Sequence, residues 1–399
     1  MHRQTFIPTQ SRFVRSAFLV FLCALCSHVV QIHAQEFKTL KPGVEYAEVT
    51  KEIGGKVVKM NLLRLDLKKV RLDVHHAMDA AIGTEKTSSI ATRRGAFAAI
   101  NAGFFRLDKS EFAGDSAGIL QIDGNLLSES EKDRAALAIY NGNKRTKVYF
   151  GLANSQAWVS ISPNFSSLTV DGINREPKAD EAILFTKEFG ILPKSSQNIL
   201  KLILSGCRVT CGRAEISEDK EATSVPADGY VLALYGKSAV LLTDDLKEKL
   251  TDDLLSVIVN NISKFVGKNE RRIEGADDIT NGVSLLIRDR KIHLTWEQEK
   301  TTRSFVETRH PRTAVAKLKD GKFLMITVDG RSEASGGIGL QDLAEYLLSL
   351  GAVDAMNLDG GGSTTMFVDG KVVNKPSDKE GERKVSDAIL VTLRKAGRR

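Results

Sequence analysis

KFLMITVDGRSEASGGIGLQDLAEYLLSLGAVDAMNLDGGG, residues 322–362, is the stretch from which the architecture of this chain can be argued. Its first seven residues, 322–328, form an apolar run that reads as a strand and ends at Asp329-Gly330-Arg331. A glycine-rich turn follows, and apolar residues at 340, 343, 344, 347 and 348 then repeat at helical spacing. Gly351 stands where such a helix would end, because glycine readily takes the left-handed conformation that closes a last turn. Residues 353–358 are a second strand candidate, running into Asp359 and three glycines. Strand, helix and strand within the 37 residues 322–358 make a crossover unit, so the two strands are expected to run parallel. Parallel strands end on one edge of a sheet, where open α/β sheets place their ligands. Asp329 and Asp359 each stand just past such an end. The spacing predicts two carboxylates on one rim.

Asp359 leads into Gly360, Gly361 and Gly362, followed by Ser363 and Thr364. Three glycines allow a tight turn and let several backbone N–H groups converge on one point, a nest suited to an anion. The alternative is a flexible turn, which would cost folding entropy with no packing gain. Arg312 and Arg331 flank the same rim if their segments adjoin. Arginine suits phosphate because its planar fork makes paired, charge-assisted hydrogen bonds; a solvated surface arginine is the alternative. Asn101 follows an apolar strand in NAGFF (101–105). On the residues alone it reads as a polar strand cap beside two core phenylalanines.

Outward from this stretch, short strands are expected at 57–65, 70–76, 96–100, 119–127 and 137–140, several of them separated by turns such as Asp123-Gly124 and Asn141-Gly142. Runs near 199–204 and 230–234 also read as strands, and 246–265 as a possible helix. No repeat, low-complexity tract or Pro/Gly-rich linker marks a domain boundary. GDSAG (114–118) matches the nucleophile-elbow pattern, but the residues after it read as strand where an elbow needs helix. GIGLQD (337–342) lacks the third glycine of a dinucleotide fingerprint.

Residues 1–34 have the layout of a secretory signal: a basic start, an apolar run at 16–30 and a small residue, Ala34, before Gln35. An uncleaved anchor is the alternative. The chain is expected to be exported, with no stable membrane span once the signal is removed. Loss of Arg3, Arg12 and Arg15 leaves 54 basic and 50 acidic residues, a charge near +4 mixed along the sequence. A dedicated nucleic-acid binder would concentrate basic charge on one face, so no nucleic-acid partner is expected. Only Cys207 and Cys211 would survive cleavage; in an oxidising compartment a short local disulfide is the natural reading. A Cys/His zinc site has no ligand pattern here. No cofactor is expected, and whether a divalent metal sits among the carboxylates is left open.

NLDGGGST (357–364), RHPRTAV (309–315), VDGR (328–331), NAGFF (101–105) and PSDKEGER (376–383) together resemble signatures of the phosphodiester glycosidase family, in the family's order. The resemblance covers about 90–394, which leaves 35–89 as a strand-rich N-terminal segment. It departs at Ala102, Ser116 and Asn281-Gly282-Val283-Ser284, where the family's pattern usually has glycine, proline and Gly-Gly-Pro. It implies an α+β fold, a mixed β-sheet core with flanking helices. It also implies hydrolysis of a sugar joined through its anomeric carbon to a phosphodiester, such as a GlcNAc-phosphodiester glycan. By matching motif, Asp359 and Asp329 are the implied catalytic residues, while Asn101, Arg312, Arg331 and the glycine loop through Ser363 and Thr364 are implied in substrate binding. Two other functions stay open: a metal-dependent phosphodiesterase that cuts the P–O bond, and a non-catalytic glycan-binding envelope protein.

Overall fold

Strand Phe323–Val328 hydrogen-bonds to Lys56–Leu65 on one side and to Arg312–Leu318 on the other, antiparallel in both cases. In this computed structural model, which describes residues 36–131, 133–162, 167–240, 256–266 and 271–395, it is the fourth strand of an eight-stranded sheet. The order is Lys38–Lys41, Val44–Ile53, Lys56–Leu65, Phe323–Val328, Arg312–Leu318, Ala352–Asn357, Leu285–Arg288 and Lys291–Ile292. Strands from 35–89 therefore share a sheet with strands from the C-terminal third. The signal-like segment 1–34 lies outside the described residues.

Helix Leu340–Ser349 covers one face of this sheet. Its Leu340, Leu343 and Leu347 pack with Met60, Leu62, Leu324 and Ile326. The opposite face, with Leu63, Val315, Phe323, Met325 and Met356, packs on Leu72, Val74, Ile100, Met366 and Ile389 of a five-stranded sheet. Alternate residues of Phe323–Val328 are thus buried on opposite sides, and this is why the strand reads as a continuous apolar run. A second eight-stranded sheet contains Arg134–Asn141, Thr146–Ser162 and Ser256–Val266. A further five-stranded sheet packs its Leu184, Leu200, Leu202 and Leu232 against that sheet's Ala136, Val159 and Phe265.

Three expectations are corrected by the structure. The α+β arrangement with flanking helices gives way to a mostly β architecture with a half-barrel sheet. The α-helices that fall wholly within the described residues are Thr87–Arg93, Arg303–Glu307 and Leu340–Ser349. Nor is the core sheet mixed, since among the described residues parallel pairing is confined to Gly172–Ile173 beside Ala182–Thr186. The physical reason is that a second sheet covers the far face of the central one. Burial on both faces gives the same apolar strands whether helices or sheets do the covering. The possible helix at 246–265 is also overturned in its described part. Ser256–Val266 is a strand paired residue by residue with Thr146–Ser162. Its β-branched Val257, Ile258, Val259, Ile262 and Val266 suit a pleated surface, while 246–255 lies outside the described residues.

Phe323–Val328 and Ala352–Asn357 lie on either side of Arg312–Leu318 and are both antiparallel to it. They are therefore parallel to each other, and their ends meet the start of the intervening strand on one edge.

Candidate functional site

Three segments converge on that edge. Asp329 follows Val328, Asp359 follows Leu358, and Arg312 opens the strand between them, opposite Val328 in register. Pro311 is wedged between the two aspartate turns. A Cβ built at Gly330 would lie 2.8 Å from the Pro311 nitrogen, and one at Gly360 would lie 2.8 Å from the Pro311 carbonyl oxygen. The Gly361 N–H donates to that same oxygen at 2.9 Å. Only glycine lets both turns close on Pro311 from two sides. The structure thus brings Asp329, Arg312 and Asp359 together.

The glycine loop is not the open nest of N–H groups that its composition suggests. The Gly360 N–H donates to Asp359 Oδ1 at 2.8 Å, and the Gly361 N–H goes to Pro311. The Ser363 and Thr364 N–H groups donate to the carbonyls of Gly360 and Gly361. Instead, the missing side chains make room for neighbouring arginines, at Gly361 and Gly362 for their guanidinium groups. Gly360 lies against Arg312, a Cβ at Gly361 would stand 2.9 Å from Arg331 Nη2, and a Cβ at Gly362 would overlap the Arg383–Asp378 ion pair. Ser363 and Thr364 are buried behind the loop.

The three arginines differ in how they are satisfied. Arg383 is paired with Asp378 through two hydrogen bonds of 2.7 and 3.1 Å. Arg312 is only 2% exposed, and its donors go to backbone carbonyls. Nε bonds Ile338 at 3.3 Å, and Nη2 bonds Phe305 at 2.5 Å and Thr308 at 3.1 Å. Its guanidinium also lies over the Phe305 ring, 4.8 Å from the centroid. Among the described residues no carboxylate pairs with it. Burial and the neighbouring Arg331 push its pKa down to about 10. Arg331 is exposed, sits at a left-handed φ of 59° and has one long hydrogen bond, to Ser377 Oγ at 3.5 Å. Two adjacent cations without a carboxylate partner among the described residues make a place where an anion would be stabilised.

Both aspartates are shifted the other way from a salt-bridged acid. Burial pushes the Asp359 carboxyl up to about 6, against the Ser363 hydroxyl, the Gly360 N–H and the Arg383 charge. Burial also raises Asp329, against hydrogen bonds from the Lys375 N–H and the Asn374 side chain. Desolvation therefore outweighs these hydrogen bonds and, at Asp359, the Arg383 charge. Asp359 is ionised at pH 7 and takes up a proton near pH 6.

Asn101 is fully buried and works as a staple. Its Nδ2 donates to the Asp359 carbonyl at 2.7 Å, while its Oδ1 accepts from Thr313 Oγ1 at 2.8 Å and the Thr365 N–H at 3.1 Å. The chain that follows it is anchored as well. Ala102 exchanges backbone bonds with Asp387 and Asp359, the Gly103 N–H donates to Asp387 Oδ1 at 2.9 Å, and the Phe104 N–H donates to Asn281 Oδ1 at 3.0 Å. Asp387, Asn281, Asp378 and Arg383 are thus parts of the site that sequence reasoning did not single out. Arg383 and Asp378 stood in PSDKEGER, yet no spacing rule ties that segment to the glycine loop. Asp387 is an ordinary strand residue in sequence, and nothing there marks it.

Other features fall elsewhere. Ser116 Oγ donates to the Gly118 carbonyl and accepts from Asn281 Nδ2, with no histidine among its partners. Cys207 and Cys211 form a disulfide between strands Ile199–Ser205 and Arg213–Ser217. Among the described residues no three His, Cys, Asp or Glu side chains gather where they could hold a metal ion. No described helix is long and apolar enough to cross a membrane.

Comparison with known proteins bears on the same segment. Residues 212–392 match the family model of phosphodiester glycosidase. A SPbeta prophage-derived protein of Bacillus subtilis, YomE, is 42% identical over 92 residues, which is 23% of this chain and 14% of that protein. The N-acetylglucosamine-1-phosphodiester alpha-N-acetylglucosaminidase of Bos taurus is 38% identical over 109 residues, 25% of this chain and 20% of that enzyme. The matched stretch is thus a fifth or less of either relative's length. The crystal structure of a hypothetical protein from Synechocystis shares the fold, with a TM-score of 0.73 and 21% identity over 90% of this chain and 64% of that one. Residues 212–392, the stretch that holds both aspartates and the glycine loop, are similar to the phosphodiester glycosidase family.

Proposed function

We propose that this chain is an exported phosphodiester glycosidase, hydrolysing the C1–O bond of a sugar-1-phosphodiester of the GlcNAc-phosphodiester kind. The observation that carries the reading is the pair Arg312 and Arg331, two neighbouring cations without a carboxylate partner among the described residues, on the same sheet edge as two carboxyls raised by burial. The pattern fits a substrate with a phosphate on one side of the bond and a developing sugar cation on the other.

In this reading the C1–O bond breaks and its electron pair leaves with the phosphate. Arg331 and Arg312 neutralise the charge that gathers there. The sugar passes through an oxocarbenium-like state, which a carboxylate stabilises. Of Asp359 and Asp329, one serves as base for water or as nucleophile, and the other steadies the cation or binds sugar hydroxyls. Water supplies the hydroxyl that ends on C1, and its remaining proton leaves through the base. The products are a free sugar and a phosphate monoester. The signal-like N-terminus and the disulfide support export.

Turnover of a sugar-1-phosphodiester in oxygen-18 water tests this reading. Label in the sugar supports the glycosidase. Label in the phosphate, with activity stopped by EDTA, would establish a metal phosphodiesterase instead. Binding without release of product would establish a glycan-binding protein.

A further inference from the structure

The strands that carry the rim end, at their other side, in a basic groove. Phe323–Val328 spans about 20 Å at roughly 3.3 Å per residue, which separates the turn at 319–322 from Asp329. That turn, the loop at 66–68 and the segment 145–149 line a groove of about 540 Å³. Five cations line it, Lys68, Arg145, Lys147, Lys317 and Lys322, against two acids, Asp66 and Asp320. Each acid caps a turn: Asp66 Oδ1 accepts the Lys68 N–H at 3.0 Å, and Asp320 Oδ1 accepts the Lys322 N–H at 3.0 Å. Lys322 is paired with Glu45 at 2.9 Å. The other four cations make no ion pair among the described residues, although Asp354 stands opposite Lys317 in register. Lys68, Arg145 and Lys147 are exposed. Arg271 adds a further positive charge at one end, 3.6 Å over the Tyr149 ring.

We infer that this groove is a second binding site, an exosite for a polyanionic glycan built from sugar-phosphate repeats. The inference rests on the reading of the rim as a phosphodiester-glycan site and extends it to a polymer held at two places. Concentrated charge in a concavity raises the local concentration of a polyanion, and a second contact on one polymer makes engagement of the rim an intramolecular event. A lipid surface fits less well, because none of the large exposed apolar side chains lines the groove. A nucleic acid fits less well too, because the groove's aromatic, Tyr149, is covered by Arg271 and meets Tyr140 edge-on rather than offering a free stacking face.

The test is the mature chain carrying Lys68→Glu, Arg145→Glu and Lys147→Glu, assayed on a polymer of sugar-1-phosphate repeats and on a monomeric sugar-1-phosphodiester. For the variant, kcat/KM on the polymer is expected to fall at least tenfold and lose most of its salt dependence, while the monomer is turned over as by the parent. Equal loss on both substrates, or no loss on either, would overturn the exosite. Binding of the polymer by the catalytically silent Asp359→Asn chain, with and without the three groove substitutions, reads the groove independently of turnover. If the parent cleaves neither substrate, the glycosidase reading fails, while the groove stands or falls on this binding comparison. Tighter binding of single-stranded DNA or of anionic vesicles than of the polymer would overturn the assignment of its ligand.

Discussion

At the scale of single residues, Asp359, Arg331 and Arg312 can be told apart by experiment. Asp359→Asn is expected to lower kcat by about a thousandfold or more, within the range for losing a positioned acid, base or nucleophile. The melting temperature at pH 7.5 should not drop. The folded chain binds a proton at Asp359 more tightly than the unfolded chain does, so the ionised carboxylate opposes folding above about pH 6, and an amide removes that opposition. Steady-state kinetics and calorimetry on the same sample check both halves, and retained activity would sink the assignment. Arg331→Ala should reduce kcat/KM by about 10- to 100-fold, a loss of roughly 1.4–2.7 kcal/mol of transition-state binding, with the denaturation midpoint unchanged because the side chain is exposed. Arg312→Met should lower the denaturation midpoint as well, since three carbonyls lose a buried donor at about 1–3 kcal/mol each. Urea unfolding curves of the two variants separate these outcomes.

At the scale of the element, the glycine loop is a spacer for arginines. A methyl group at position 362 would occupy the volume of the Arg383–Asp378 pair. Gly362→Ala is therefore expected to impair turnover on a monomeric diester and to lower the melting temperature. Gly370→Ala, which adds strain at a left-handed φ of 83° with open space around it, serves as the control and should leave kinetics unchanged. Equal kinetics for the two variants would contradict the spacer role. NLDGGGST stood out in the sequence because three successive glycines cost folding entropy that a merely flexible turn would not offset. Its way of acting was not legible. Whether a glycine frees an N–H or admits a neighbouring side chain depends on what lies across from it; Arg331 stands 30 residues before Gly361, and Arg383 stands 21 residues after Gly362.

At the scale of the whole molecule, the strand ends determine the pH dependence. With Asp359 raised to about 6 and acting in its ionised form in the proposed reaction, kcat/KM on a monomeric diester should fall as the pH drops through 6. A pH–rate profile flat from pH 5 to 7 would remove Asp359 from the chemistry. By itself the sequence determined the central strands and helix Leu340–Ser349, through apolar period and turn residues. It also marked both aspartates at strand ends, since a strand's direction and its last residue are local facts. Only the tertiary structure decided what covers the second face of the central sheet, because an apolar strand buried on both sides carries the same pattern under a helix or under another sheet. Only the tertiary structure could show Arg312 spending its donors on carbonyls and Asn101 stapling the glycine loop. A hydrogen bond between residues 258 positions apart, such as Asn101 to Asp359, leaves no periodicity in the chain to be read.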